Sequence, residues 1–302
     1  MKRVQGMIVP IVTPLNTQSQ PDLPALRRIC DVQIQAGIEV IFVLGTTGEF
    51  YGLDQQQQRV VVETVLEAVA GRVAVIAGIS GHSTLASLQA LREYQQLGLA
   101  AYVSSTPYFM SYSQGELLDH FRILTDTAQA PLILYNYPGR YRHRIEISSI
   151  RQLLEEKRVL GIKDTEGDFE YMQQLLDLRK AFPSFRVFEG ALPNLARSGR
   201  LGLDGSVQAL ANLLPNECAA LWQHINGQRW QLLDAEVARM WAFHQELESV
   251  ASFIRAVKGC MSMRQWCSAV PAPPMRSLGL QSLQRLRELM DRTYPNRVRD
   301  SD

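Results

Sequence analysis

Short apolar runs rich in β-branched residues recur along the chain. Between them lie longer stretches whose apolar positions fall three and four apart. The runs are MIVPIVT (7–13), VIFVLG (40–45), VAVIAG (73–78), AYVSST (101–106), LILYN (132–136), VLGIKD (159–164), RVFEG (186–190) and GSVQA (205–209). They read as eight strands, at intervals of roughly 20–33 residues, the length of one strand plus one helix. Continuously apolar strands suit a parallel sheet covered by helices.

The stretches between them carry helix punctuation. Asp54 is placed to cap a helix with Val61, Val62, Val65, Leu66 and Val69 on one face, stopped by Gly71. Ser83 starts a helix that runs to Gly98. Ser113 and Glu116 form a capping-box pattern ahead of Leu117, Phe121 and Leu124. Asp168 caps the next, with Met172, Leu175, Leu176 and Arg179 spaced helically. Eight strand–helix units predict a (β/α)8 TIM barrel; a doubly wound open sheet, the alternative, usually stops at five or six strands. The barrel is expected over residues 1–214, and the last barrel helix with a C-terminal helical appendage over 215–302, broken by PAPPM at 271–275.

Composition narrows the partners. The 302 residues are 46% apolar and 20% charged with net charge +1, a globular composition with no long block of one sign. Neither nucleic acid nor a membrane is indicated; RYRHR (140–144) is too short and isolated to change that. The start of the chain lacks a secretory pattern, and no apolar window is long enough to span a bilayer. Cys30, Cys218, Cys260 and Cys267 show no paired spacing, and the five histidines are scattered, so no metal site is expected. The expected setting is cytoplasmic, with reduced thiols.

In a barrel, chemistry gathers at the C-terminal ends of the strands. Strand two ends in GTTGE (45–49), whose glycines allow a sharp bend and whose Thr46 and Thr47 offer N–H and hydroxyl groups to a small anion. Many ordinary strand-to-helix turns look similar. Strand six ends in GIKDT, and Lys163 is the one lysine of five on an apolar strand. Burying an ammonium is costly unless it is paired or loses its proton. A neutral amine in the barrel mouth would attack a carbonyl and form a Schiff base. The bland alternative is a buried ion pair with Asp164 or Glu49. Tyr135, one unit earlier, should project beside Lys163 and could relay the protons of that reaction; otherwise it is a core aromatic. Arg140 could clamp a carboxylate at the rim, or simply be solvated. Together these groups suit a 2-oxo acid: Lys163 takes the carbonyl carbon and the Thr46–Thr47 turn takes the carboxylate.

The motifs GTTGE, TPY (106–108), YNYPGR (135–140) and GIKDT (161–165), in this order and spacing, resemble the dihydrodipicolinate synthase/N-acetylneuraminate lyase family of class I pyruvate-dependent aldolases. The resemblance spans essentially the whole chain. It implies a TIM barrel, often a homotetramer, that needs no cofactor beyond the Schiff base on Lys163. It implies Lys163, Tyr135 and Thr46 as catalytic residues. It also implies Thr46 and Thr47 as carboxylate binders, with Gly190 and Val207 at pocket-lining positions; Gly45 and Arg140, and Thr165 two residues beyond Lys163 on the same strand face, complete the expected substrate contacts. Tyr108 and Phe109 fall where neighbouring subunits would meet.

The sequence also departs from the pattern. Dihydrodipicolinate synthases generally carry two tyrosines in TPYY, the second completing a proton relay across a subunit contact; here that position is Phe109. Lys163-Asp164-Thr165 and YNYP look more like 2-keto-3-deoxy-sugar-acid aldolases, whereas Arg140 is kept as in the synthases. Positions matching the lysine-feedback pocket carry Tyr51, Gln55, Gln58 and Ala86, without its usual charges. The leading expectation is therefore a lyase cleaving a 2-keto-3-deoxy sugar acid to pyruvate and an aldehyde. Tyr137, Tyr112 and Gln208 would join Arg140 and Thr165 in the distal pocket. The alternative is dihydrodipicolinate synthase itself, acting on pyruvate and aspartate semialdehyde. A non-catalytic barrel that binds a small acid is the competing class. A homodimer or homotetramer is expected.

Overall fold

The structure, a computed structural model, describes residues 3–295. Eight parallel strands close into a barrel in chain order: β1 (Gly6–Pro10), β2 (Val40–Val43), β3 (Ala74–Gly78), β4 (Ala101–Ser105), β5 (Leu132–Asn136), β6 (Val159–Asp164), β7 (Arg186–Glu189) and β8 (Gly205–Val207). All eight runs form strands because each is buried on both faces, by lumen side chains inside and helices outside.

The helices are α1 (Leu23–Gln35), α2 (Gln55–Val69), α3 (Thr84–Tyr94), α4 (Gln114–Thr127), the short α5 (Pro138–Tyr141), α6 (Ile147–Glu155), α7 (Phe169–Leu178), α8 (Leu195–Arg200), α9 (Pro215–Asn226), α10 (Trp230–Val250), α11 (Phe253–Met263) and α12 (Leu280–Thr293). Asp54 and Ser113 cap α2 and α4 in full capping boxes with Gln57 and Glu116, and Asp168 accepts from the N–H groups of Glu170 and Tyr171. Each arrangement satisfies backbone donors that the first helical turn leaves free.

Several boundaries differ from the sequence pattern, for local reasons. β1 ends at Pro10 rather than residue 13, because the Val12 N–H turns to the Asn212 side chain at 3.0 Å and the Thr13 hydroxyl to the Gly48 carbonyl at 2.7 Å. α3 stops at Tyr94, and a tight turn carries the chain to left-handed Gly98. α7 buries Tyr171 and Leu178 with Met172 and Leu175, so its inner face is turned slightly from the one expected.

The C-terminal helices do more than cover the barrel. α10 packs on α8 and α9, and α11 reaches the end of β2. The four cysteines are buried free thiols. Among the described residues no helix is long and apolar enough to cross a membrane.

Candidate active site at the barrel mouth

Strand register sets the centre of the site. Tyr135 on β5 pairs with Lys163 on β6, and Lys163 with Phe188 on β7. Side chains alternate along a strand, so Lys163 and Thr165 share one face while Asp164 takes the other. Nζ of Lys163 donates to Oγ1 of Thr165 at 2.8 Å and lies 3.6 Å from the centre of the Tyr135 ring. Lys163 is only 7% exposed. Burial lowers its pKa to about 7, against the opposing charges of Asp164 and Glu189. A large fraction of the amine is therefore unprotonated near neutral pH, the state required of a nucleophile.

Neither ion pair weighed for Lys163 forms. Oδ1 of Asp164 accepts from the Asn136 amide at 2.6 Å, and burial pushes that carboxyl up to about 6. Glu189 accepts from the Ala191 N–H at 2.7 Å and the Ser198 hydroxyl at 2.9 Å, and burial pushes it up to about 8. Glu49 belongs to another lysine. It is wholly buried, forms a close ion pair with the equally buried Lys258 of α11, and accepts from the Ala272 N–H at 2.6 Å. Lys258 also donates to the Val270 carbonyl at 3.0 Å. This pair fastens the GTTGE turn to the C-terminal region. Sequence reasoning missed it, although a lysine within the apolar stretch AVKGCM was a signal of the same kind as Lys163.

Neither glycine of the turn is itself left-handed. The left-handed residues are Leu44 (φ 57) and Glu49 (φ 55), the two ends of the turn. Such a conformation in non-glycine residues costs on the order of 1–3 kcal/mol each and persists only when the surroundings hold it. The hold is visible. The Leu44 carbonyl presses on Gly78, where a Cβ would come within 2.1 Å of its oxygen, and Glu49 is held by Lys258. Gly45 serves close approach instead: a Cβ there would meet the Phe42 ring at 3.0 Å. The N–H groups of Gly48 and Glu49 close the turn on the carbonyls of Gly45 and Thr46. Among the described residues, no acceptor bonds the N–H groups of Thr46 or Thr47, and both residues line the cavity in front of Lys163.

That cavity has a volume of about 240 Å³. It brings together Thr46, Thr47, Tyr135, Arg140, Lys163, Thr165, Gly190 and Val207, with Tyr51 and Tyr137. Gly190 makes room for Thr165, since a Cβ there would fall 2.2 Å from its hydroxyl oxygen. Arg140 is exposed at the rim and shares a hydrogen bond with Tyr137. Burial pushes the Tyr135 hydroxyl up to about 12, although hydrogen bonds with Thr46 and Thr165 oppose the rise. Tyr135 is thus a proton-bearing group at neutral pH.

Other positions fall outside this cavity. Gln208 lines an adjoining hollow and donates to the Ser206 hydroxyl at 2.8 Å. Tyr112 is not at the cavity; its N–H donates to the His143 ring at 2.9 Å. Gln55, Gln58 and Ala86 line a second cleft with Tyr108, and Tyr51 borders both that cleft and the cavity. Phe109 is 74% exposed, and Tyr108 packs inward against Tyr141, their ring centres 5.7 Å apart.

Two contributions had no counterpart in the strand-end motifs. One wall of the cavity comes from the tail: His244 and Glu248 of α10, Ser252, Phe253 and Ile254 around the start of α11, and Met275. His244 is stacked between Trp241 and Phe253, with ring centres at 5.0 and 4.4 Å. The other is Tyr141, whose hydroxyl lies 2.6 Å from Thr46 Oγ1. Among the described residues no three His, Cys, Asp or Glu side chains cluster to hold a metal.

Comparison with known proteins points the same way as this geometry. A model of the dihydrodipicolinate synthetase family matches residues 3–293. The 4-hydroxy-tetrahydrodipicolinate synthase of Ectopseudomonas mendocina is 33% identical over 218 residues, covering 72% of this chain and 74% of its own. The protein of the same name from Protochlamydia amoebophila is 26% identical over 299 residues, covering 95% and 96%. Among solved structures, the chloride-inhibited dihydrodipicolinate synthase of Acinetobacter baumannii, in complex with pyruvate, superposes with a TM-score of 0.90 at 25% identity, over 96% of this chain and 99% of that one.

Proposed function

The chain belongs to the dihydrodipicolinate synthetase family of pyruvate-dependent, aldolase-type lyases, and from that membership we propose that Lys163 captures a 2-oxo acid as a Schiff base. One observation carries the reading: a buried strand-end lysine, held near neutrality by burial, faces a turn with two unbonded N–H groups. The N–H groups of Thr46 and Thr47 bind the carboxylate. Tyr135 moves the protons. The iminium then draws electrons from the neighbouring carbon, so a C–C bond two carbons from the nitrogen can be made or broken with no further cofactor.

For the second substrate, the relatives' names support condensation of pyruvate with aspartate semialdehyde better than the sugar-acid cleavage expected from the motifs. Arg140 at the rim suits that aldehyde's carboxylate. A second reading, reversible cleavage of a 2-keto-3-deoxy sugar acid, is favoured by Thr165: its hydroxyl sits beside Lys163 and suits a substrate hydroxyl. The enzyme acts in the cytoplasm as a homo-oligomer, with Phe109 and its exposed neighbour Met110 at a subunit contact. The discriminating experiment pairs pyruvate with aspartate semialdehyde, glyceraldehyde, glycolaldehyde and N-acetylmannosamine and follows pyruvate loss. Fastest consumption of aspartate semialdehyde supports the first reading. Fastest consumption of a sugar-derived aldehyde overturns it in favour of the second.

A further inference from the structure

Three side-chain hydroxyls form a chain of contacts beside Lys163. Nζ of Lys163 lies over the Tyr135 ring, and the Tyr135 hydroxyl lies 3.5 Å from Thr46 Oγ1. Thr46 Oγ1 lies 2.6 Å from the Tyr141 hydroxyl. Tyr141 is buried and fixed in place. Its N–H donates to the Tyr137 carbonyl at 2.8 Å, and its own carbonyl accepts from the Thr106 hydroxyl at 3.1 Å. Its ring meets Tyr135 edge-on at 5.3 Å and Tyr108 at 5.7 Å. Phenylalanine would fill the same space without a polar atom to satisfy, so packing alone does not account for a hydroxyl here. Phe109, at the position of the second tyrosine in TPYY, carries no hydroxyl and is largely exposed.

We propose that Tyr141 completes, within one chain, a hydroxyl relay Tyr135–Thr46–Tyr141 that supplies and takes back the protons of Schiff-base chemistry on Lys163. This rests on the lysine-dependent reading given above. The neutral amine attacks the carbonyl carbon of the 2-oxo acid; a C–N bond forms and the C=O π electrons move to oxygen. A proton passes from nitrogen to that oxygen through Tyr135, giving a carbinolamine. The hydroxyl group then leaves as water, taking the Tyr135 proton, while the nitrogen lone pair forms the C=N bond. Thr46 refills Tyr135, and Tyr141 refills Thr46. When the carbon next to the iminium loses its proton to form the enamine, that proton returns along the same three hydroxyls, and the relay ends as it began. Tyr141 touches no reacting atom; it is a positioning residue that acts through Thr46.

The test uses Y141F, which keeps the ring and its packing and removes only the hydroxyl. Full-length wild type, Y141F and Y135F are mixed with pyruvate, quenched with borohydride at intervals, and weighed. The relay predicts that Y141F reaches the same adduct on Lys163 about 10²-fold more slowly. Its melting temperature and half-saturating pyruvate concentration stay near those of wild type, a split that a merely structural role would not produce. Trapping by Y141F at the wild-type rate overturns the relay and leaves the lysine chemistry standing. No adduct in wild type overturns both. Should Y141F fail to fold, T46V interrupts the same line, and a wild-type trapping rate in T46V overturns the relay equally.

Discussion

Replacing Lys258 by methionine separates the two buried lysines of this fold by their roles. Methionine keeps the unbranched stem within α11 but leaves the Glu49 carboxylate with no counter-charge, at a position with no solvent exposure. Breaking a buried pair by removing one partner costs about 3–5 kcal/mol, because the remaining charge stays desolvated. Unfolding entropy of about 2.1 cal/mol/K per residue gives ~0.6 kcal/mol/K for 302 residues, so the melting temperature of K258M should fall by about 5–8 °C. The second half of the test is the double variant E49Q/K258M. Glutamine retains an acceptor for the Ala272 N–H and removes the stranded charge. Neutralising both partners should therefore recover much of the loss, as buried pairs generally do when both charges go. Calorimetry on wild type, both single variants and the double variant reads this directly. Because Glu49 ends the turn that carries Thr46 and Thr47, E49Q should also raise the pyruvate KM. A K258M melting temperature within about 1 °C of wild type, or a double variant less stable than K258M, would refute the reasoning.

Further expectations follow from the same geometry. With the Lys163 pKa lowered to about 7, kcat/KM should rise with pH through about 7 and fall roughly tenfold one pH unit below it; a flat profile between pH 6 and 8 contradicts a titrating amine nucleophile. The same shift acts on stability. The unfolded lysine holds its proton up to its ordinary 10.5 while the folded one loses it near 7, so the unfolded state binds more protons between those values and stability rises with pH there. K163M should accordingly be more stable than wild type at pH 7 and below, with the difference shrinking as pH rises toward 10.5 in a urea titration. R140A should leave pyruvate trapping unchanged and raise the KM for an aldehyde bearing a carboxylate by about 10–100-fold, the worth of a hydrogen bond to a charged group. An unchanged KM removes Arg140 from substrate binding.

The barrel was legible because each strand announces itself locally. Runs such as VIFV and LILY are apolar on both faces, and Asp54, Ser113 and Asp168 mark helix starts within a few residues of the groups they satisfy. The strand period then carries Lys163, Tyr135 and the GTTGE turn to one end of the barrel. What was not legible depends on contacts between distant parts of the chain. His244, Glu248 and Phe253 reach the cavity only because α10 and α11 fold back over the mouth, and no spacing in the tail encodes that. The Glu49–Lys258 pair likewise joins two segments with no local signal of each other. The sharp bend was legible from the glycines of the turn, but the left-handed Leu44 was not, since its carbonyl packs against Gly78 on another strand. Tyr141 follows YNYPGR directly, but its reach to Thr46 is set by the short helix α5 and the ring cluster around it. Tyr112, expected in the distal pocket, packs against His143 instead.

The central claim is that Lys163 forms a covalent iminium with a 2-oxo acid. The most direct measurement is to incubate the protein with pyruvate, reduce with borohydride, digest, and locate the added mass by peptide sequencing. The account predicts one modified lysine, Lys163, with the buried Lys258 untouched and the adduct abolished in K163A. An adduct on any other lysine, an adduct that persists in K163A, or no adduct at any pyruvate concentration would contradict it.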